Sequence, residues 1–266
     1  MRKFYKKKSK DRPRRDNDKS SWQGVSSWYS KSTEGKGHYY HEHVVIPGVL
    51  RLLNLKNDSK LLDLGSGSGV LGRATPKDVR YLGVDLSDSL TRDAGRQDRN
   101  ITHKYLTADV TKRLSIDTDF THATLILSLQ NMQDGDRAIE NASKHLVKNG
   151  TLVIVLNHPV LRIPRQTSWE INPQTKIQYR RIDRYLNPME IPVSMNPGQK
   201  NSPTTWSYHH SISDYSKMLN KSGFVIELIE EWTSDKESVG KASKMENRAR
   251  SEFPLFMAIR AKKIQL

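Results

Sequence analysis

Short apolar runs alternate with helical patterns along most of the chain. The runs predict seven β-strands, at residues 60–64, 80–85, 104–109, 122–128, 151–156, 224–230 and 255–262. Alternation of strand and helix is typical of an α/β fold with a doubly wound, mostly parallel sheet. No apolar helix separates the last two runs, so we expect the final strand to run antiparallel to its neighbours.

Helix signals lie between these runs. Ser87 is a predicted N-cap, because a serine side chain can accept a hydrogen bond from a free amide of the first turn. Residues 136–148 carry apolar positions at helical spacing with Gly150 as the closing residue, and residues 213–222 are closed by Gly223. These signals predict the start of one helix and both ends of two others.

The first predicted strand stops in a glycine-rich stretch. Residues 61–69 read Leu-Leu-Asp-Leu-Gly-Ser-Gly-Ser-Gly, and bare glycine amides let a nucleotide-like cofactor approach the backbone. Residues 67–72 also fit the dinucleotide fingerprint G-x-G-x-x-G. Asp63 decides between the two, because a carboxylate here repels a pyrophosphate but suits the ammonium and sulfonium of S-adenosylmethionine. The sequence therefore favours S-adenosylmethionine.

Polar residues recur where the predicted strands end, at the edge where such sheets bind ligands. Asp85 follows strand two, twenty residues beyond Gly65, and suits ribose hydroxyls; Asp109 follows strand three and suits the adenine amine, with Val110 packed on the ring. Either aspartate alone is as readily a turn former, but their ordered recurrence favours binding. The predicted cofactor residues are Asp63, Gly65, Ser66, Gly67, Gly69, Asp85, Leu86, Asp109, Val110, Ser128 and Gln130.

With these motifs the chain resembles the class I S-adenosylmethionine-dependent methyltransferases, and within them the type 11 family. The resemblance covers residues 35–263 and rests on residues 61–69, 83–87, 108–109 and 146–152. It implies a Rossmann-like fold, S-adenosylmethionine as cofactor and methyl transfer as the activity. Pro76 departs from the family pattern and is expected to cut short the helix after strand one.

A histidine- and tyrosine-rich segment, residues 37–43, precedes the glycine stretch. The resemblance implies a lid over the cofactor, and Tyr39, Tyr40 and His41 are candidate catalytic residues of that lid. His41 and His43 lie two apart and face different sides of a helix, so we predict no metal site there. An inert surface helix is the alternative.

Strand five ends at Asn157-His158-Pro159, followed by an insertion that extends to about residue 208. His158 is a candidate general base, because neutral imidazole can take a proton from an acceptor; a histidine hydrogen-bonded into the strand end is the alternative. The candidate acceptor-binding residues are Asn157, Arg162, Arg165 and His209. The insertion's Arg180, Arg181 and Arg184 either bind an anionic acceptor or pair with Asp183 and Glu190 on a solvated face.

Composition excludes several mechanisms. The 266 residues contain no cysteine, which excludes disulfides, thiolate metal sites, radical S-adenosylmethionine chemistry and cysteine-activated C5 methylation of pyrimidines. Without an apolar span or leader pattern, we expect a cytoplasmic protein with no membrane partner. The predicted organisation is a basic disordered tail, 1–20, and a methyltransferase domain, 21–266, whose insertion at about 160–208 caps the acceptor.

The tail leaves the acceptor class open. Residues 1–19 hold ten Lys or Arg against three Asp, a net charge of +7 out of the chain's +15. Such a block is either a solubilising arm or a contact for nucleic acid. A small-molecule acceptor is favoured, since no Asp/Asn-Pro-Pro-Tyr/Phe motif follows strand four. The alternatives are a tRNA or rRNA methyltransferase that uses the tail, and a non-catalytic binding protein with the same fold.

Overall fold

The structure is a computed structural model that describes residues 38–175, 177–194, 202 and 204–264. The described strands are β1 (Lys60–Leu64), β2 (Arg80–Asp85), β3 (His103–Thr107), β4 (Phe120–Ile126), β5 (Leu146–Asn157), β6 (Thr167–Asn172), β7 (Ile177–Ile182), β8 (Met189–Ser194), β9 (Thr204–His209), β10 (Phe224–Trp232) and β11 (Phe256–Lys263). The described α-helices are α1 (Ile46–Leu53), α2 (Val70–Ala74), α3 (Asp88–Gln97), α4 (Gly135–His145), α5 (Ile212–Lys221) and α6 (Ser243–Glu252). The predicted tail lies outside the described residues.

Seven strands form the central sheet in the order β10-β11-β5-β4-β1-β2-β3. Strands β1 to β5 pair in parallel, and β11 is antiparallel to both β5 and β10. The predicted seven-stranded, doubly wound architecture and the antiparallel last strand are thereby confirmed. The strand order reverses between β1 and β4, which places a ligand-binding crevice at their carboxyl ends.

Helices cover both faces of this sheet. On one face, α4 and α5 pack into a core that includes Ile139, Leu219 and Leu64. On the other face, α1 and α2 pack against residues such as Leu61 and Val153. Leu61 packs on this second face, and its neighbour Leu62 packs on the first, because side chains alternate between the two faces along a strand.

Local sequence signals explain most helix boundaries. Ser87 caps α3 and accepts a hydrogen bond from the Leu90 amide, as predicted. Ser211 and Asp214 form a capping box at the start of α5, which begins one residue before the predicted start at 213, while Gly223 follows its end with φ +80°. Helix α2 stops at Ala74, before the extended Thr75 and Pro76, in agreement with the predicted break.

The largest difference from the predicted boundaries is at the junction of α4 and β5. Helix α4 ends at His145 rather than at residue 148, and β5 begins at Leu146. The Lys263 ammonium donates to the carbonyl oxygens of Ser143 and Leu146, and thereby satisfies acceptors at the helix end. Lys263 lies 117 residues away from Leu146 in sequence, so no local pattern could reveal this stop.

The insertion after β5 consists of two antiparallel hairpins. Strands β6 and β7 form the first hairpin, and β8 and β9 form the second. Strand β9 packs against the 3₁₀ turn Leu129–Asn131, which follows β4. The second hairpin therefore lies near the carboxyl edge of the sheet.

Candidate functional site

The glycine turn after β1 has backbone geometry that favours glycine at three positions. Gly65, Gly67 and Gly69 have φ values of +78°, +53° and +74°, a region that other residues adopt only at a cost in free energy. The amides of Gly65 and Ser66 both donate to the Val84 carbonyl, at 2.7 and 3.1 Å, which ties the turn to β2. A Cβ on Gly65 would lie 2.5 Å from the Ser128 Cβ. The turn therefore brings backbone without Cβ atoms to the crevice.

Asp63 lies beneath this turn and is 2% exposed. Its carboxylate accepts hydrogen bonds from the Tyr81 hydroxyl at 2.7 Å and from the Thr124 hydroxyl at 2.8 Å. Burial outweighs these two bonds and raises the pKa of Asp63 to about 6. The sequence predicted the acid, but Tyr81 and Thr124 lie on neighbouring strands, so their part in holding it became visible only in the sheet register.

Asp85 joins the turn to the end of β2. Its carboxylate oxygens accept from the Gly67 amide and the Ser87 amide, both at 2.9 Å. Burial raises the pKa of Asp85, and the backbone amides act in the opposite direction. Leu86 beside it is 39% exposed. Asp85 therefore lies against the glycine turn, where the sequence predicted the ribose-binding acid.

A second layer of aromatic residues supports the turn from below. The Tyr105 hydroxyl lies 2.8 Å from the position that a Cβ on Gly69 would take, and it donates to Asp98 at 2.6 Å. The rings of Tyr81 and Tyr105 are 5.6 Å apart. Sequence reasoning missed Tyr105, because its position beside Gly69 depends on the pairing of β2 with β3.

The residues predicted at the ends of β3 and β4 have mixed surroundings. Asp109 accepts hydrogen bonds from the amide and hydroxyl of Thr111, and Val110 is 5% exposed and packs into the core. Ser128 donates to the Leu64 carbonyl and so braces the end of β1. The Val110 side chain therefore packs inward, whereas the sequence predicted a contact with a bound ring.

Buried polar atoms without a partner mark the crevice. Among the described residues these atoms are the His41 Nδ1, the Ser66 Oγ, the Gln130 Oε1 and the Gln178 Oε1. A buried polar atom without a hydrogen bond is costly, and a ligand is one way to satisfy it. Three of the four belong to residues that the sequence predicted for the site, which supports a ligand at the carboxyl edge.

The segment before α1 is fastened to the loop after β10. Tyr39 donates to Asp235 at 3.1 Å, and the hydroxyls of Tyr40 and Ser234 are 3.1 Å apart. The Lys236 ammonium lies 4.1 Å from the centre of the Tyr39 ring. Tyr40 packs edge-on against Phe256, which pairs with Asn157 at the end of β5. This segment therefore reaches the carboxyl edge of the sheet.

His41 begins a π-helical turn, His41–Val45, that leads into α1. Such turns are rare and frequent at functional sites. Burial, followed by the charge of His38, lowers the pKa of His41 to about 4, so its imidazole is neutral at physiological pH. No group of three His, Asp or Glu residues that could hold a metal occurs within the described ranges.

His158 is buried at the end of β5, with 2% exposure and both ring nitrogens in hydrogen bonds. Its Nδ1 accepts from the amides of Val160 and Leu161, each at 3.2 Å, so the proton is on Nε2, which donates to Glu231 at 2.6 Å. Neither nitrogen is free to take a proton from an acceptor. This geometry favours the structural alternative over the general-base role, and Glu231 was not predicted.

The candidate acceptor residues fall into different environments. His209 is buried and donates from Nε2 to the Tyr185 carbonyl at 2.7 Å, which anchors the second hairpin. Asn157 is exposed at the end of β5, and Arg165 is exposed with φ +62°. Arg162 lies beyond β5 with an exposed side chain, where desolvation by its surroundings lowers its pKa and Tyr40 raises it. The structure thus brings Tyr40, Asn157 and Arg162 to one end of the sheet.

This fold and this site define an α/β protein with a glycine turn at the sheet crevice, the arrangement in which such folds bind nucleotide-like cofactors. Residues 62–152 match the family model of a methyltransferase domain. No curated protein matches the chain significantly. Among the described residues, no helix is long and apolar enough to cross a membrane.

Solved structures with the same fold support the class. A Mesorhizobium loti S-adenosylmethionine dependent methyltransferase is 25% identical with a TM-score of 0.64, covering 83% of this chain and 99% of its own. A Listeria monocytogenes protein described as a candidate enzyme of this kind is 22% identical, with a TM-score of 0.65 and coverage of 83% and 98%. A Haloferax volcanii candidate methyltransferase, solved with the Trm112 methyltransferase activator, is 13% identical, with a TM-score of 0.62 and coverage of 92% and 97%.

The domain match over residues 62–152 and the solved structures together support a class I S-adenosylmethionine-dependent methyltransferase with S-adenosylmethionine as cofactor. The glycine turn and the unpartnered oxygens of Ser66 and Gln130 fit a ligand rich in polar groups. The predicted class is confirmed. The narrower type 11 assignment stays a prediction, because the match identifies a methyltransferase domain and not that family.

Proposed function

We propose that this methyltransferase acts on a small-molecule acceptor, which binds between the Tyr39–His41 segment, the end of β5 and the two hairpins. The observation that carries the proposal is the placement of the hairpins. Strand β9 packs against Leu129–Asn131, and Tyr40 packs against Phe256, so protein borders the carboxyl edge from two directions. A bordered site of this kind suits a small acceptor better than a large nucleic acid.

The cofactor site consists of the glycine turn, Asp85 and the ends of β3 and β4. S-adenosylmethionine, when bound, supplies an activated methyl group. The protein's contribution is then to orient the acceptor, exclude water and accept a proton where the acceptor must lose one. Positioning accounts for most of this catalysis, because the methyl donor is already reactive.

His41 is the proposed base, because it combines a neutral imidazole with an unpartnered Nδ1. Its pKa of about 4 keeps it deprotonated at neutral pH. It lies next to Tyr40, which packs at the end of β5. His158 has no free nitrogen and serves instead to fix the chain after β5.

The test follows a labelled methyl group from S-adenosylmethionine to its acceptor. Cell extract is divided into a small-molecule fraction and an RNA fraction, and each is incubated with the protein and S-adenosylmethionine labelled in the methyl group. The proposal predicts label in the small-molecule fraction and release of S-adenosylhomocysteine. Label found in RNA alone would favour the tRNA or rRNA alternative, for which the +7 charge of residues 1–19 is the main support.

A further inference from the structure

The first hairpin holds a fixed arginine beside the end of β5. The Arg180 Nε donates to the Leu161 carbonyl at 2.8 Å, and its Nη2 donates to the Thr167 hydroxyl at 2.8 Å. The guanidinium also lies over the Trp169 ring, 5.0 Å from its centre. These three contacts hold the Arg180 guanidinium beside Leu161, the residue that precedes Arg162.

Arg162 supplies a second positive charge next to the first. Its backbone amide donates to the His158 carbonyl at 2.8 Å, which fixes the main chain, whereas its guanidinium has no hydrogen bond or ion pair among the described residues. The Arg162 side chain is exposed, and Arg180 is half-buried; desolvation and, after it, the charge of Arg162 lower the pKa of Arg180. Two guanidinium groups thus lie within electrostatic reach of each other without an acid between them.

The neighbouring Arg181 shows what an ordinary surface arginine does on this hairpin. Residues next to each other on a strand point to opposite faces. The Arg181 guanidinium pairs with Asp183 at 2.6 Å and reaches Glu170 at 3.8 Å. The carboxylates of this hairpin thus pair on the face of Arg181, whereas Arg162 and Arg180 pair with no described carboxylate.

We propose that Arg162 and Arg180 bind an anionic group, a carboxylate or a phosphate, of the methyl acceptor. Guanidinium groups bind carboxylate and phosphate oxygens through two parallel hydrogen bonds, and neither Arg162 nor Arg180 has a carboxylate partner among the described residues. Tyr40, whose hydroxyl lies 3.1 Å from that of Ser234, is within electrostatic reach of Arg162. The inference rests on the proposed function, since it names the chemical class of the acceptor.

The carboxylate of the cofactor is the other anion that could bind these arginines. The two sources are separated by titrating the protein with S-adenosylhomocysteine, which carries that carboxylate, and with methylthioadenosine, which lacks it. An anion site for the acceptor leaves the affinity for S-adenosylhomocysteine unchanged in Arg162→Gln. A loss for S-adenosylhomocysteine but not for methylthioadenosine would assign the arginines to the cofactor and overturn the proposal.

The direct experiment uses inorganic phosphate and benzoate as probes, measured by calorimetry with and without S-adenosylhomocysteine. Arg162→Gln should weaken the binding of at least one probe by about tenfold or more, and Arg180→Gln should do the same. Arg181→Gln is the matched control and should bind the probe as the wild type does. Arg162→Gln removes no native hydrogen bond, so a loss of folding does not confound it.

Each outcome decides one claim. Equal probe affinity in the wild type and in Arg162→Gln, or no probe binding by the wild type, overturns the anion site. Failure of the wild type to bind S-adenosylhomocysteine overturns the proposed function instead, while the phosphate titration without cofactor still decides the anion site.

Discussion

The two sides of the carboxyl edge satisfy their charged groups in different ways. On the β1–β2 side, Asp63 and Asp85 each accept two hydrogen bonds from the protein itself. On the β5 side, the Arg162 guanidinium has no described partner, and the His41 Nδ1 is buried without one. The charged groups of the cofactor side are thus held before any ligand binds, although the Ser66 Oγ has no described partner, whereas the charged group of the acceptor side, the exposed Arg162, is open to a ligand.

We interpret the β1–β2 side as the part that positions the cofactor and the β5 side as the part that selects the acceptor. The cofactor side is held by strand register and by glycines that accommodate Ser128 and Tyr105. The acceptor side is built from the segment before α1 and from the hairpins after β5. Substitutions on the two sides should therefore affect different measurements.

The largest expected effect tests the base on the acceptor side. His41→Gln should lower turnover by about 10²–10⁴ if the acceptor must lose a proton, and should leave cofactor affinity unchanged. Turnover of the wild type should persist down to about pH 5 and fall near pH 4, because the imidazole becomes protonated as the pH falls through its pKa of about 4.

His158→Ala is the comparison variant for this experiment. Its hydrogen bonds to Glu231 and to the Val160 and Leu161 amides predict a loss of about 1–3 kcal/mol in the free energy of unfolding, with little change in turnover per folded molecule. The reverse pattern, a large loss of turnover in His158→Ala alone, would restore His158 as the base.

The next largest expected effect is the loss of cofactor affinity when the glycine turn is altered. Gly65→Val places a Cβ at φ +78° and within 2.5 Å of the Ser128 Cβ, so we expect cofactor affinity to fall by about 100-fold or more. Calorimetry with S-adenosylhomocysteine measures it. Gly95→Ala, in the exposed part of α3 where a Cβ meets only Tyr105 at 4.0 Å, is the control and should bind normally. Equal affinities in the two variants would contradict the role of the turn.

The charged Asp63 carboxylate is expected to lower the stability of the fold and to strengthen cofactor binding. Its pKa of about 6, against 3.8 for a free aspartate, means that the folded state disfavours the charged carboxylate. The resulting cost is present above about pH 6 and absent below about pH 4, and corresponds to at most about 3 kcal/mol. Asp63→Asn should therefore raise the free energy of unfolding at pH 7.5, show no gain at pH 4, and weaken cofactor binding.

Asp119→Asn is the matched control for the stability measurement. Asp119 is exposed and pairs with Lys60, which lowers its pKa, so removing its charge should give no gain at pH 7.5. Unfolding by urea at the two pH values measures both variants. A destabilised Asp63→Asn at pH 7.5 would show that the charged form is favoured in the fold.

The smallest expected effect concerns the basic tail. Removal of residues 1–19, with a net charge of +7, should leave turnover on a small acceptor unchanged. Under the RNA alternative, the same deletion lowers RNA affinity and reduces the salt dependence of binding by several phosphate contacts. Filter binding at two or more salt concentrations distinguishes the two.

The sequence predicted those parts of the molecule that depend on local patterns. The seven strands, the Ser87 cap and the glycine turn follow from side-chain periodicity and from the backbone freedom of glycine. Pairing between distant strands could not be predicted in this way. Tyr81, Thr124 and Tyr105 support the turn only because β2, β4 and β3 occupy particular places in the sheet.

His158 illustrates the same limit at the site. Its place at the end of β5 was predicted, but its partner Glu231 comes from β10, which is 73 residues away in sequence. From sequence alone, a histidine at the end of a strand is a candidate general base. Its hydrogen-bond partners in the structure decide whether a ring nitrogen is available for that role. Arg180 and Arg181 likewise look alike in sequence, and only the faces of the hairpin separate the arginine with a carboxylate partner from the one without.

The most direct test of the central claim is calorimetry of S-adenosylhomocysteine binding to the wild type and to Asp85→Ala, with NAD as competitor. We predict a dissociation constant of roughly 1–100 µM for the wild type, no competition by NAD, and a loss of about 1–3 kcal/mol in Asp85→Ala, because a hydrogen bond to a charged group is removed. Tighter binding of NAD, or no binding of S-adenosylhomocysteine, would contradict the assignment of the glycine turn.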